Sequence, residues 1–177
     1  PFAAGEDEYS ILLLLIAANQ FNLGGPEAVQ DESQNIYVAN LNLRAGKKAM
    51  EMSAFEAAYS YFDSGISFLR KKHWQEHYSL SLELLNLAAK CALTNGDTVS
   101  LKLLSQQVLK KAKSFEDKLN VMYLAMCALA YSSNLPESIE TGLDVLSKLG
   151  IELRGNGSTG MEACVKETKD LLLAYTT

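Results

Sequence analysis

A chain of 177 residues that is 48% hydrophobic and 21% charged is too apolar to stay disordered, and it has the size of one domain, or of one and a small part of another. A net charge of −5 supplies no basic footprint for a nucleic-acid partner. Three cysteines far apart in sequence, Cys91, Cys127 and Cys164, do not make a disulfide framework and suit a reducing, cytoplasmic setting.

The first element is carried by "ILLLLIAANQF", Ile11 to Phe21. Its unbroken apolar run ends at Ala18, well short of the roughly 20 residues that a bilayer span needs. The flank Glu6-Asp7-Glu8 is acidic, which excludes a secretory signal. The pattern predicts a helix over Ser10 to Leu23, apolar almost all round and so buried between neighbours. Gly24-Gly25-Pro26 ends it. A second helix is expected over 27–51, with Tyr37, Leu41, Ala45, Ala49 and Met50 on one face. Ser53, followed by Glu56, reads as the capping box of a third helix that runs to about Leu69 and buries Phe55, Ala58, Tyr61, Phe62 and Gly65.

A fourth helix is expected from about Glu76 to Thr94 through Leu80, Leu84, Leu85, Ala88 and Ala92. Asn95-Gly96-Asp97 provides a C-cap, a turn and an N-cap in three residues. The fifth helix, to about Lys113, places Leu101, Leu104 and Val108 inside, and the sixth spans Glu116 to Ser132. Pro136 marks the start of a seventh that stops at Gly150. "RGNGSTG", residues 154–160, reads as a flexible loop, and Met161 to Tyr175 as a last helix. No stretch alternates with the period of a strand, so the expected class is all-α, built from antiparallel αα-hairpins.

The hairpins repeat. Aligned on their turns, they occupy about 34–69, 78–113 and 116–149, with small residues at Ala45-Gly46, Ala88-Ala89 and Ala125, and register steps of 43 (Ala58 to Leu101) and 37 (Leu101 to Ser138). Ala58-x-x-x-Phe62 resembles the second-helix signature of the tetratricopeptide family. The family's tryptophan is missing from the first helices, its closing proline is absent, and the steps exceed the usual length of about 34 residues, so the expectation is a degenerate tetratricopeptide-like superhelix.

A narrower resemblance rests on Asn42-Leu43-Arg44-Ala45-Gly46, Ala58, Gly65, Trp74, Gly96-Asp97 and Gly142-Leu143. Over about Ile11 to Leu153 the chain resembles the helical region that follows an AAA-type ATPase module in very large signalling proteins with serine/threonine kinase-like and histidine kinase domains. That resemblance implies an end of the ATPase-linked segment in 1–25, the repeats in 26–153, and the start of a further helical unit in 161–177. A chain that begins at Pro1 and ends within a helical pattern is expected to be part of a longer protein. No phosphate-binding G-x-x-x-x-G-K-[ST] occurs in it.

One motif offers chemistry. His73, Glu76 and His77 spell H-x-x-E-H, two imidazoles a helical turn apart with a carboxylate as general base, the pattern of a zinc hydrolase. Against it stand the absence of strands to shape a substrate cleft and of a third histidine. Trp74 reads better as a plug at the hairpin junction. No catalytic residue, metal or cofactor is therefore expected.

The expected function is a non-catalytic protein-interaction scaffold. Its groove stripe comprises Asn40, Leu43 and Lys47, then Glu83, Asn86 and Lys90, then Asn120, Tyr123 and Cys127, each set spaced three then four. The expected partner is protein, either neighbouring domains of the same chain or a peptide bound by a stand-alone adaptor, with no role for nucleic acid or membrane.

Overall fold

The computed structural model describes residues 8–29 and 31–151, so the expected loop at 154–160, the last helix and Cys164 lie outside the described residues. The described chain is helical, with no strand. Helices α1 (Glu8–Gly24), α2 (Glu32–Glu51) and α3 (Phe55–Phe68) are followed by the single turn α4 (His73–Glu76), then α5 (Tyr78–Thr94), α6 (Thr98–Lys111), α7 (Glu116–Tyr131) and α8 (Leu135–Lys148). Sequential long helices pack as hairpins: α2 on α3, α5 on α6, α7 on α8, with α3 seated against α5 and α6 against α7.

The three hairpins close with the same backbone turn. The last carbonyls of α2 accept from Ser53 and Ala54, those of α5 from Gly96 and Asp97, and those of α7 from Ser133 and Asn134. In each, one amide bonds three residues back and the next bonds five back, all at 2.9–3.1 Å. The middle residue takes positive φ: 59° at Ser53, 74° at Gly96, 63° at Ser133. This is the left-handed cap that satisfies the orphan carbonyls of a helix end. The five-back acceptors are Ala49, Ala92 and Leu129, spaced by 43 and then 37 residues, the same steps as the side-chain pattern. The repeat is therefore present in the backbone.

Two of the three middle residues are serines, and this corrects one expectation. Ser53 closes α2 and does not cap α3, whose N-cap is Ala54 with no side-chain bond. A residue held at φ 59° to satisfy one helix cannot adopt the extended conformation of a cap for the next. Asp97 does cap as expected, accepting from Ser100 N at 2.9 Å.

The second helix also begins later than its pattern suggests. Pro26–Ala28 forms a separate 3-10 turn, Val29 is extended, and Asp31 caps α2 through Ser33 N. Tyr37 lies off the buried face, 64% exposed.

The core forms where α2, α3 and α5 meet. Ala45, Ala58, Phe62, Leu84, Leu85, Ala88 and Cys91 are fully buried. A Cβ on Gly46 would lie 2.4 Å from the Phe62 ring, and one on Gly65 would lie 2.9 Å from Leu84 and 3.2 Å from Asn42. Hydrogen in place of a methyl at these two points lets the helices approach closely. Helix α1 docks on α2 through Leu14 and Ala18, against Leu41 and Ala45. A reciprocal pair of carboxamides, Asn22 and buried Asn42, adds two hydrogen bonds of 2.8 Å.

Helix α1 does not sit between neighbours on all sides. Leu12, Leu13, Ile16 and Leu23 are 53%, 66%, 47% and 82% exposed, because α2 covers only one of its faces. Helix α8 behaves alike at the other end, with Leu135, Ile139 and Leu143 exposed.

Gly46→Ala should destabilise the fold by about 1–3 kcal/mol, since Phe62 is wholly buried and must shift to admit a methyl. Gly96→Ala should cost less than that upper figure, because its Cβ meets open space and only the strain of positive φ remains. Urea unfolding of the two variants beside the parent chain ranks them.

Candidate functional site

Two places gather polar and titratable side chains. The first is the stripe along the first helices of the hairpins. Asn40, Lys47, Glu83, Lys90, Asn120 and Tyr123 are exposed, while Asn86 and Cys127 are half-buried. Leu43 departs from the set: it is 7% exposed and belongs to the core. Of the expected residues the structure joins two directly, Lys47 on α2 and Glu83 on α5, in an ion pair of 2.6 Å. Two turns further along the chain from Asn86's own helix start, the stripe holds an unsatisfied group: the Asn86 Oδ1 is buried with no hydrogen-bond partner. A buried oxygen of that kind carries a desolvation cost until a donor reaches it. Asn40 is engaged locally, donating to the Ile36 carbonyl. On α7 the Tyr123 hydroxyl is shifted up, first by its hydrogen bond with Cys127.

The second place is the linker from α3 to α5, which holds H-x-x-E-H. Helix α4 is a single turn ending at His77, whose φ of −130° starts a new direction for α5. His73 is turned to Ser81: its Nδ1 lies 2.8 Å from the hydroxyl, and burial, followed by the charge of Lys111, holds its imidazole below the usual histidine range. Ser81 is itself fully buried and reaches the His77 carbonyl at 2.8 Å. The Nδ1 of His73 is thus engaged, and His73 is not among the metal-ligating side chains that converge in this region. Trp74 packs half-buried against the core, its ring 5.7 Å from both His73 and Tyr78, as expected for a junction plug.

What converges instead is Glu32, Glu76 and His77, whose ligand atoms lie within 4.8 Å of one another. Sequence reasoning missed Glu32, which belongs to the first turn of α2 and comes from far up the chain. Arg70 helps to hold that geometry, donating to the Val29 carbonyl at 3.0 Å just before α2. The buried Asn35 amide donates to the same carbonyl.

The far end of the linker is pinned by Tyr78. Its hydroxyl donates to Asp117 at 2.6 Å and accepts from Lys113 N at 2.8 Å, while the Lys113 ammonium lies over its ring. The Tyr78 hydroxyl, with Ser114 assisting, holds the Asp117 carboxyl below the usual carboxylate range. Cys91 and Cys127 are free thiols, and burial pushes Cys91 up to about 11.

Compared with known proteins, the chain is 24% identical over 144 residues to hybrid signal transduction histidine kinase G of Dictyostelium discoideum. The alignment takes in 76% of this chain and spans about 4% of that protein's length. No protein family pattern matches the chain, and no solved structure resembles it significantly. The likeness, together with the all-helical fold, fits a helical module of a signalling protein. Among the described residues, no helix is long and apolar enough to cross a membrane.

Two measurements follow from these contacts. In a double-mutant cycle, Lys47→Ala and Glu83→Ala should couple by under about 1 kcal/mol, because both side chains are nearly half exposed. Tyr78→Phe should lower the melting temperature at pH 7. Asp117 has a depressed folded-state pKa, so its contribution is present above the normal carboxylate range and lost as pH falls through the lowered value. The melting difference between parent and Tyr78→Phe should therefore narrow toward pH 3, as a pH series of thermal melts would show.

Proposed function

We propose that this chain is a non-catalytic, tetratricopeptide-like superhelical module that positions the other domains of a large ATPase- and kinase-type signalling protein. The observation that carries the reading is the apolar surface of the two outer helices. A hairpin array that ends in solvent is normally finished by helices with polar outer faces. Here Leu12, Leu13, Ile16 and Leu23 on α1 are exposed at one end, and Leu135, Ile139 and Leu143 on α8 at the other. Such faces suit flanking helical segments of the same protein. The likeness to a stretch of a histidine kinase many times longer than this chain supports the same setting.

The stripe is the second means of contact. Lys47, Glu83 and Lys90 present mixed charge along the array, suited to the polar groups of a neighbouring domain or a peptide. A stand-alone adaptor would use the stripe alone and would leave the apolar ends unexplained.

Separated from its neighbours, the chain should self-associate through the α1 face. Sedimentation velocity across a concentration series should show weight growing with concentration, and Leu12→Ser with Leu13→Ser should return it to monomer without loss of helical circular dichroism. A parent chain that stays monomeric throughout and fails to bind a fluorescent hydrophobic dye would defeat the reading.

A further inference from the structure

We propose that Glu32, Glu76 and His77 form a site for a zinc-class divalent cation that ties the start of α2 to the linker between α3 and α5. The three come from separate parts of the fold. Glu32 stands in the first turn of α2, Glu76 ends the single turn α4, and His77 joins α4 to α5. Their ligand atoms lie within 4.8 Å of one another, a set that small side-chain movements close around one ion. The backbone beneath them is anchored on both sides. Arg70 and Asn35 both donate to the Val29 carbonyl ahead of α2, and the turn that carries Glu76 and His77 is held by its own backbone, with the Glu76 and His77 amides donating to the Lys72 and His73 carbonyls. The ligands are therefore delivered by ordered elements, which lowers the cost of closing the site.

The surroundings select the kind of ion. A groove of about 640 Å³ opens beside Glu32 and Glu76, giving a path from solvent, and Arg70, Lys71 and Lys72 also line it. Those three cations offset much of the attraction of two carboxylates for any positive charge. Calcium and magnesium, held chiefly by charge and by many oxygens, are poorly served by this arrangement. A borderline ion such as zinc gains from a directional bond to imidazole, with two carboxylate oxygens completing three protein ligands and water the fourth.

The ligand set differs from that of H-x-x-E-H: His73 is engaged with Ser81, and Glu76 is a ligand in place of a general base. The site has a structural role, and it stands whether or not the scaffold reading does. The test is a calorimetric titration of zinc chloride into the full chain after chelator treatment, with calcium and magnesium chloride as comparisons. One zinc per chain is expected, with no comparable heat from the other two ions. His77→Ala and Glu32→Gln should each weaken zinc about tenfold or more, and His73→Asn should leave it unchanged. Circular dichroism confirms that each variant is folded. The proposal is overturned if zinc does not bind, if His77→Ala or Glu32→Gln binds as the parent does, or if His73→Asn weakens binding as much as His77→Ala.

Discussion

The close approach of α2, α3 and α5 at Gly46 and Gly65 is the constraint on which the remaining packing depends. Phe62 lies against Gly46 with no room for a methyl between them, and Gly65 admits Leu84 from α5 and Asn42 from α2 at a single point. A helix pair that meets so closely brings Ala45, Ala58 and Ala88 into full burial, although each has only one methyl to contribute. The same contact fixes Asn42, which in turn holds Asn22 and with it α1. Loss of either glycine would thus be felt in α1 as well as in the hairpin itself.

Much of this was legible in the sequence, and the reasons are specific. Asn95-Gly96-Asp97 names its own turn because glycine supplies positive φ and aspartate supplies a cap. Ser53 and Ser133 adopt the same backbone without glycine. Serine is also a favoured N-cap, so its local signal at Ser53 pointed to the following helix when tertiary closure had assigned it to the preceding one. The three buried positions Ala58, Phe62 and Gly65 were readable from periodicity, since a helix that packs on two sides repeats its small and large residues faithfully. Leu43 and Tyr37 were not. Each lies near the edge of a buried face, where a rotation of a few tens of degrees decides between core and solvent.

The histidine motif shows a different limit. Spacing along one helix can be read from sequence, but the helix here lasts only a single turn and His77 departs from it. The groups that come together are set by the packing of α2 against the linker, and no local pattern links Glu32 to Glu76. Polar contacts between distant elements, such as Tyr78 with Asp117 or Lys47 with Glu83, are hidden for the same reason.

The unequal steps of 43 and 37 residues have a consequence of their own. Most of the difference lies between helices: residues 69–77 join α3 to α5, whereas 112–115 join α6 to α7. The helices on either side of the longer joint keep their register, since the closing turns recur unchanged. The joint is thus an addition to the repeat, inserted where it disturbs no hairpin. Its inward side is constrained, since Trp74 lies against the core and His73 bonds buried Ser81, whereas the exposed Lys71, Lys72, Gln75 and Glu76 can change without touching a hairpin. New chemistry in such an array can therefore arise at a joint without passing through an unfolded ancestor.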